Sequence, residues 1–364
     1  MDEAGSAHRT HPHSRVACKA RSEGAVPRAP CTESGFHEYL APTFDRSPSS
    51  PNCLKDMEKV KVTLLALLAA GVLPLSAQRI ELLPYGDFEY WTARNIKESA
   101  ILGGEVKTLY TLGPLGNTPW ASSNAHAKVS GITKTSLSVE PDNGPSGRCA
   151  KLSTVFASCR VAGLVDIEVL ATGSLYWGRM FEPITGVRNP YSNMDWGIPF
   201  TTHPSALLVD YRAFLPATGK LVKGTTFNKK EFPGEDPCQV LLLLQRRWED
   251  PDGTIHAERV GTAVLRIGAT TSGWVKDKRI PVVYGDARKQ SGYRSYMDLV
   301  KGEKTLYAVN SKGKRVPVRE EAWASSEASC THAVLQISSG SQGGFTGAPG
   351  NTLWVDNLRM EYAR

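Results

Sequence analysis

Tyr176, Trp177, Tyr191, Trp196 and Phe200 fall within one short stretch that is also rich in Gly, Pro and Asn. Sugar rings present C–H faces that stack on aromatic planes, and amide or carboxylate side chains take their hydroxyls. Loop aromatics beside such groups are what a glycan site needs. The candidates are Trp196 and Tyr191 as stacking rings and Asp195 and Asn193 as hydroxyl partners, with Trp120 and Phe345 in other loops as a second rank. Trp177 and Trp248 sit inside strand-like runs and are expected in the core. A second constellation joins the two ends of the chain: Asp87 and Glu89 near the start of the folded part, Asp356 near its finish. Carboxylate, amide and backbone oxygens are the hard ligands that calcium takes, so a structural calcium is one expectation here. The competing expectation is that Asp87 and Asp356 cap turns. Signals for catalysis are thin, because GxSxG, HExxH and Gly-rich phosphate loops are all missing. Carboxylates for glycoside hydrolysis exist (Glu182, Asp195, Asp210, Glu249, Asp250), but any chain of this length has them.

The elements that must position these residues read as β almost throughout. Short apolar or alternating runs, punctuated by Gly, Pro, Asn and Asp, predict strands over 107–112, 150–155, 164–170, 207–214, 240–248, 257–267, 278–283, 333–337 and 353–362. Asp250-Pro251-Asp252-Gly253 predicts a hairpin turn, since proline presets φ and glycine accepts the left-handed position. Residues 291–300 predict a short helix or helical turn. In the last strand Val355 and Leu358 are an odd number apart, so they share a face only if a bulge intervenes near Asp356-Asn357. No stretch keeps a long helical period. The expectation is an all-β, two-sheet β-sandwich of jelly-roll type, one domain over 78–364.

Residues 57–77 have a basic start (Lys59, Lys61), an apolar block from Val62 to Leu75 and a small-residue end. That order predicts a secretory signal peptide, with an apolar block too short to span a bilayer. Residues 1–56 carry equal numbers of basic and acidic residues and no apolar periodicity, and are read as a disordered or miscalled extension ahead of a start at Met57. The formal net charge of +7 therefore belongs to the rest of the chain, where it is spread. Its densest runs, Lys276–Arg279 and Lys312–Arg315, are read as solvated loop faces, and nucleic acid is not an expected partner. Cys149, Cys159, Cys238 and Cys330 remain beyond the signal. In an exported chain they could form disulfides, with Cys149 and Cys159 facing across a hairpin, or stay as buried thiols.

The blocks GDFEYWTARNIKESAILGGEVKTLYTLGP (Gly86–Pro114), GIPFTTHPSALLVDYRA (Gly197–Ala213) and SSGSQGGFTGAPGNTLWVDNLRMEY (Ser338–Tyr362) resemble the putative carbohydrate metabolism domain family of exported Bacteroidetes proteins. The resemblance implies a β-jelly-roll similar to carbohydrate-binding modules, in the periplasm, on the outer membrane surface or outside the cell, associated with glycan use. It brings no catalytic residue. The expectation is an exported, non-catalytic carbohydrate-binding protein whose partner is a polysaccharide or oligosaccharide, with outer-membrane or surface proteins as further partners. Two alternatives stand beside it: a glycoside hydrolase or lyase using a carboxylate pair, and an adhesin or assembly subunit.

Overall fold

The structure is a computed structural model that describes residues 78–161, 165–186, 189–225 and 228–363. The expected extension (1–56) and signal segment (57–77) lie outside the described residues. The strand Cys238–Glu249 organises what is described. Its Val240, Leu242 and Leu244 point to one side and Leu241 and Leu243 to the other, so both of its faces are apolar. A strand of that pattern is covered on both sides. It runs into Ile255–Ile267 through the predicted hairpin, closed by the Gly253 N–H donating to Asp250 O at 2.8 Å, with Gly253 at φ 94°.

These two strands form the middle of a ten-stranded sheet. Its order is Met194–Trp196, Ser174–Met180, His332–Ser338, Cys238–Glu249, Ile255–Ile267, Arg315–Trp323 and Tyr307–Val309, with Trp120–Ser122, Ile198–Pro199 and Val283–Tyr284 added alongside. A six-stranded sheet faces it, in the order Val275–Pro281, Ala206–Phe214, Thr352–Tyr362, Arg148–Ser153 and Val139–Asn143, and Arg79–Leu82 also pairs with Thr352–Tyr362. All pairings in the smaller sheet are antiparallel. The larger one contains a parallel pair, Ile255 beside Val318. The main core lies between the sheets, where Val240, Leu242, Leu244, Leu335 and Ile337 meet Leu207, Val209, Leu353, Val355, Leu358 and Met360. The protein is an all-β two-sheet sandwich.

The bulge predicted in the last strand is present. Asp210 pairs with Asp356 and Leu208 with Arg359, so two residues oppose one, and Asn357 takes a left-handed φ of 50°. The extra residue resets the alternation, which lets Leu353, Val355, Leu358 and Met360 all face the core. The start of the folded part lies against this strand, with the Leu83 N–H donating to Leu358 O at 3.0 Å and the Leu358 N–H to Gly86 O at 2.8 Å.

Two expectations are corrected and one open alternative is decided. Lys276–Arg279 is part of an edge strand, exposed along its length, rather than a loop. Lysines on an edge discourage a second chain from adding to the sheet. Of the two alternatives for the cysteines, the buried thiols are found: Cys149, Cys159, Cys238 and Cys330, the described cysteines, are all buried and free, and burial pushes Cys149 and Cys238 up to about 12. Trp248 is 41% exposed, stacked on His256 at the end of the hairpin, whereas Trp177 lies in the core as expected. The 291–300 segment contains one 3-10 turn, Ser295–Met297. Among the described residues no helix is long and apolar enough to cross a membrane.

Candidate functional site

The face of the ten-stranded sheet turned away from the main core carries a cavity of about 440 Å³. Strand alternation and register order this face of the sheet in three rows, whose members other than Tyr176, Val264 and Thr262 line the cavity. Ser174, Ser338, Gln239 and Arg266 stand opposite one another across four adjacent strands. The next row is Tyr176, Gln336, Leu241 and Val264, and the third runs through Val334, Leu243 and Thr262. Side chains directly opposite in neighbouring strands are close enough to touch. The floor thus grades from polar at one end to apolar at the other. Within it the Ser174 and Ser338 hydroxyls are 2.9 Å apart, and Gln239 Nε2 donates to Gln336 Oε1 at 3.2 Å. Walls come from the hairpin Ala125–Val129 and Ile132–Ser136, from Ile167–Thr172, from Pro190–Trp196, from 295–306 and from 340–345.

A small second core seals the apolar end. Tyr176, Met194, Trp196, Leu243, Leu306 and Val334 cluster there, with Tyr191 packed against them. The Trp196 ring lies 4.4 Å from that of Tyr176 and 6.1 Å from that of Tyr191, centre to centre. Arg247 fixes this corner, donating through Nη1 to Trp196 O and through Nε to Gln245 Oε1, both at 2.8 Å. Burial lowers the Arg247 pKa to about 10. Beneath lies a buried ion pair: Arg259 Nε donates to Glu320 Oε1 at 2.6 Å, and Gln245 Nε2 and the Val300 N–H donate to the same carboxylate. Burial works against the Glu320 charge, yet the Arg259 guanidinium and these donors hold its pKa below the usual carboxylate range. A register shift between Leu244 and Gln245 accompanies the turn of Arg259 toward the cavity side.

Four of the six sequence candidates, Tyr191, Asn193, Trp196 and Phe345, line this cavity. Trp196 is only 1% exposed and sits in a strand, so it supports the wall more than it offers a ring face. Tyr191 is half-buried, and burial pushes its hydroxyl up to about 12. Asp195 is not brought in. Neighbours along a strand point to opposite sides, so Met194 and Trp196 face the second core while Asp195 turns away to pair with Arg179 at 2.9 Å and accept the Val309 N–H at 3.1 Å. Asn193 accepts from Arg315 Nη1 at 3.2 Å. Trp120 lies in a strand rather than a loop, 2% exposed in the main core, and donates its indole N–H to Pro84 O. Residues that sequence reasoning missed are Gln239, Gln336, Arg266, Tyr296 and Lys304. For Gln239 the signal was present, as a polar residue directly ahead of the apolar run Val240–Leu244.

The carboxylates expected to hold calcium lie near one another. Asp356 is 2% exposed, and burial together with the charges of Asp210, Glu89 and Asp87 raises its pKa to about 6. Their oxygens are partly taken: Glu89 Oε1 accepts the Arg148 N–H at 2.9 Å and Asp356 Oδ1 the Asn357 N–H at 2.7 Å. Among the described residues no group of three or more His, Cys, Asp or Glu side chains is arranged to hold a metal ion. The expected ligand set therefore does not close as a side-chain cage.

Residues 87–361 match the family model described as putative carbohydrate metabolism domain. No curated protein matches the chain. The crystal structure of a putative glycoside hydrolase from Bacteroides vulgatus ATCC 8482 is similar with a TM-score of 0.39 and 16% identity, covering 66% of this chain and 91% of that one.

Proposed function

Because this chain belongs to the putative carbohydrate metabolism domain family, we propose that it is an exported carbohydrate-binding protein that acts without catalysis and holds its glycan in the cavity on the outer face of the large sheet. The observation that carries this reading is the floor itself. A polar row that passes through Gln336 and Leu241 into the apolar Val334 and Leu243, with the Tyr191 and Phe345 rings in the walls, matches a sugar's mixture of hydroxyl edges and C–H faces. Two-carboxylate hydrolysis needs a pair of acids flanking the bond. Asp298 is the one acid among the described lining residues, which favours binding over cleavage. The export step rests on the residue order of 57–77, and the compartment reached would be the periplasm, the outer membrane surface or the medium.

A broad glycan array probed with the purified protein tests this. The expected result is a defined oligosaccharide or polysaccharide hit that Tyr191→Ala weakens by about 3- to 10-fold, the size of one aromatic stacking contact. New reducing ends or unsaturated products from the bound polysaccharide would replace the reading with a hydrolase or lyase. Self-association by light scattering with no sugar hit would replace it with an assembly subunit.

A further inference from the structure

The charged residues around the cavity are not balanced. Five cationic side chains line it: Lys134, Arg259, Arg266, Lys301 and Lys304. Two of them are spoken for, Lys134 by Glu98 at 2.8 Å and Arg259 by Glu320. Arg266, Lys301 and Lys304 have no ion-pair partner among the described residues. The acids near them make no ion pair with them and hold other hydrogen bonds, although the Asp236 charge acts on both Arg266 and Lys304. Asp298 accepts the Leu299 N–H at 2.9 Å. Asp236, buried behind the 340–348 loop, accepts the N–H groups of Ser341, Gln342 and Ala348. Glu303 is exposed and lies 3.9 Å from Lys223.

Arg266 ends the polar floor row, directly opposite Gln239. Its Nε is buried with no hydrogen-bond partner, and its guanidinium carbon stands 4.9 Å from the centre of the Tyr296 ring. Lys304 reaches the same end of the cavity, where its ammonium donates to Ser341 O at 3.0 Å and keeps two N–H groups free. Burial lowers the pKa of Arg266; it lowers that of Lys304 too, with the Arg266 charge adding to it, and the Asp236 charge offsets only part of either shift. Two cations brought together and partly stripped of water, with an unpaired donor between protein atoms, are costly unless an anion joins them.

We propose that this end of the cavity receives the anionic group of an acidic sugar, so that the glycan bound is one bearing uronate or sulfate groups. The inference rests on the carbohydrate-binding reading and names its substrate class. Arg266 supplies a planar fork suited to a carboxylate or sulfate, and Lys304 supplies a point charge. The neutral part of the ring extends over Gln336 and Leu241 toward Tyr191.

The test compares four polysaccharides by calorimetry: polygalacturonate, its carboxyl-reduced form, dextran sulfate and dextran. The expected result is binding of polygalacturonate, dextran sulfate or both, weakening as salt rises, with their neutral counterparts at least about tenfold weaker. Polygalacturonate alone identifies carboxylate as the anion, and dextran sulfate alone identifies sulfate. Arg266→Gln and Lys304→Gln should each erase most of that difference. Lys304 sits in a short 3-10 turn outside the sheets, so its variant keeps the test readable if Arg266→Gln unfolds. Equal or better binding of the neutral forms, or an array whose hits are all neutral glycans, overturns the acidic-sugar inference and leaves the carbohydrate reading standing. An absence of any glycan hit overturns both.

Discussion

Replacing Asp356 with Asn should stabilise the protein at neutral pH and do nothing for it in acid. Asp356 is buried at the bulge, and its pKa rises from 3.8 to about 6, first through burial and then through Asp210, Glu89 and Asp87. A carboxyl whose pKa is raised on folding favours the folded state while protonated. That contribution is complete below pH 3.8 and is lost as pH rises through 6. A rise of about 2 units corresponds to about 3 kcal/mol as an upper bound, at about 1.4 kcal/mol per unit. Asn removes the charge yet keeps an oxygen for the Asn357 N–H. Thermal unfolding of both proteins in EDTA, from pH 4 to pH 8, would read the effect as a gain of about 6 °C at pH 8 that vanishes at pH 4. A variant no more stable than the parent at pH 8, or a gain that persists unchanged at pH 4, refutes the reasoning. Repeating the scan with calcium separates the metal expectation. Stabilisation of the parent by calcium, absent from the variant, would mean that backbone oxygens complete a site the side chains leave open.

Other substitutions probe the site's supports. Trp196→Ala should cost about 3–5 kcal/mol in denaturant unfolding, as for a large buried ring, so its loss of binding would follow its loss of fold. Glu320→Gln leaves Arg259 buried without its counter-charge and should cost about 3–5 kcal/mol at pH 7. Because the Glu320 pKa is lowered on folding, the parent should lose this contribution as pH falls below the usual carboxylate range, closing the gap between the two in acid. Gly178→Ala would set a methyl 1.9 Å from Asp195 O at a φ of 143°. It should therefore loosen the strand that carries Trp196, at about 1–3 kcal/mol or more, read as a lower melting temperature with faster amide exchange over 194–196.

The sandwich was legible in the chain because its evidence is local. Period-2 alternation, the Asp250–Gly253 turn and the odd spacing of Val355 and Leu358 each act within a few residues, and each has its counterpart in a strand, a hairpin or the bulge. Short or polar strands such as Arg315–Trp323 escaped, because their pairing partners rather than their own residues make them strands. The family resemblance was also readable, since it depends on runs of sequence. The site was legible only in part. Tyr191, Asn193 and Phe345 stood out as aromatic or amide residues in irregular segments, and they do reach the cavity. Trp120 and Trp248 exchanged the roles expected of them. Whether a strand's tryptophan meets the core or the solvent depends on which sheet covers that face, and no local pattern carries this.

What the residues determined by themselves was the kind of fold, the place of its turns and the need for a bulge. Register decided the rest. It put Ser174, Ser338, Gln239 and Arg266, drawn from four separate strands, into one row, and set Lys304 from a distant loop above it. The reason is physical: alternation says that a side chain leaves the strand on one face or the other, and only the pairing of strands says what it will find there.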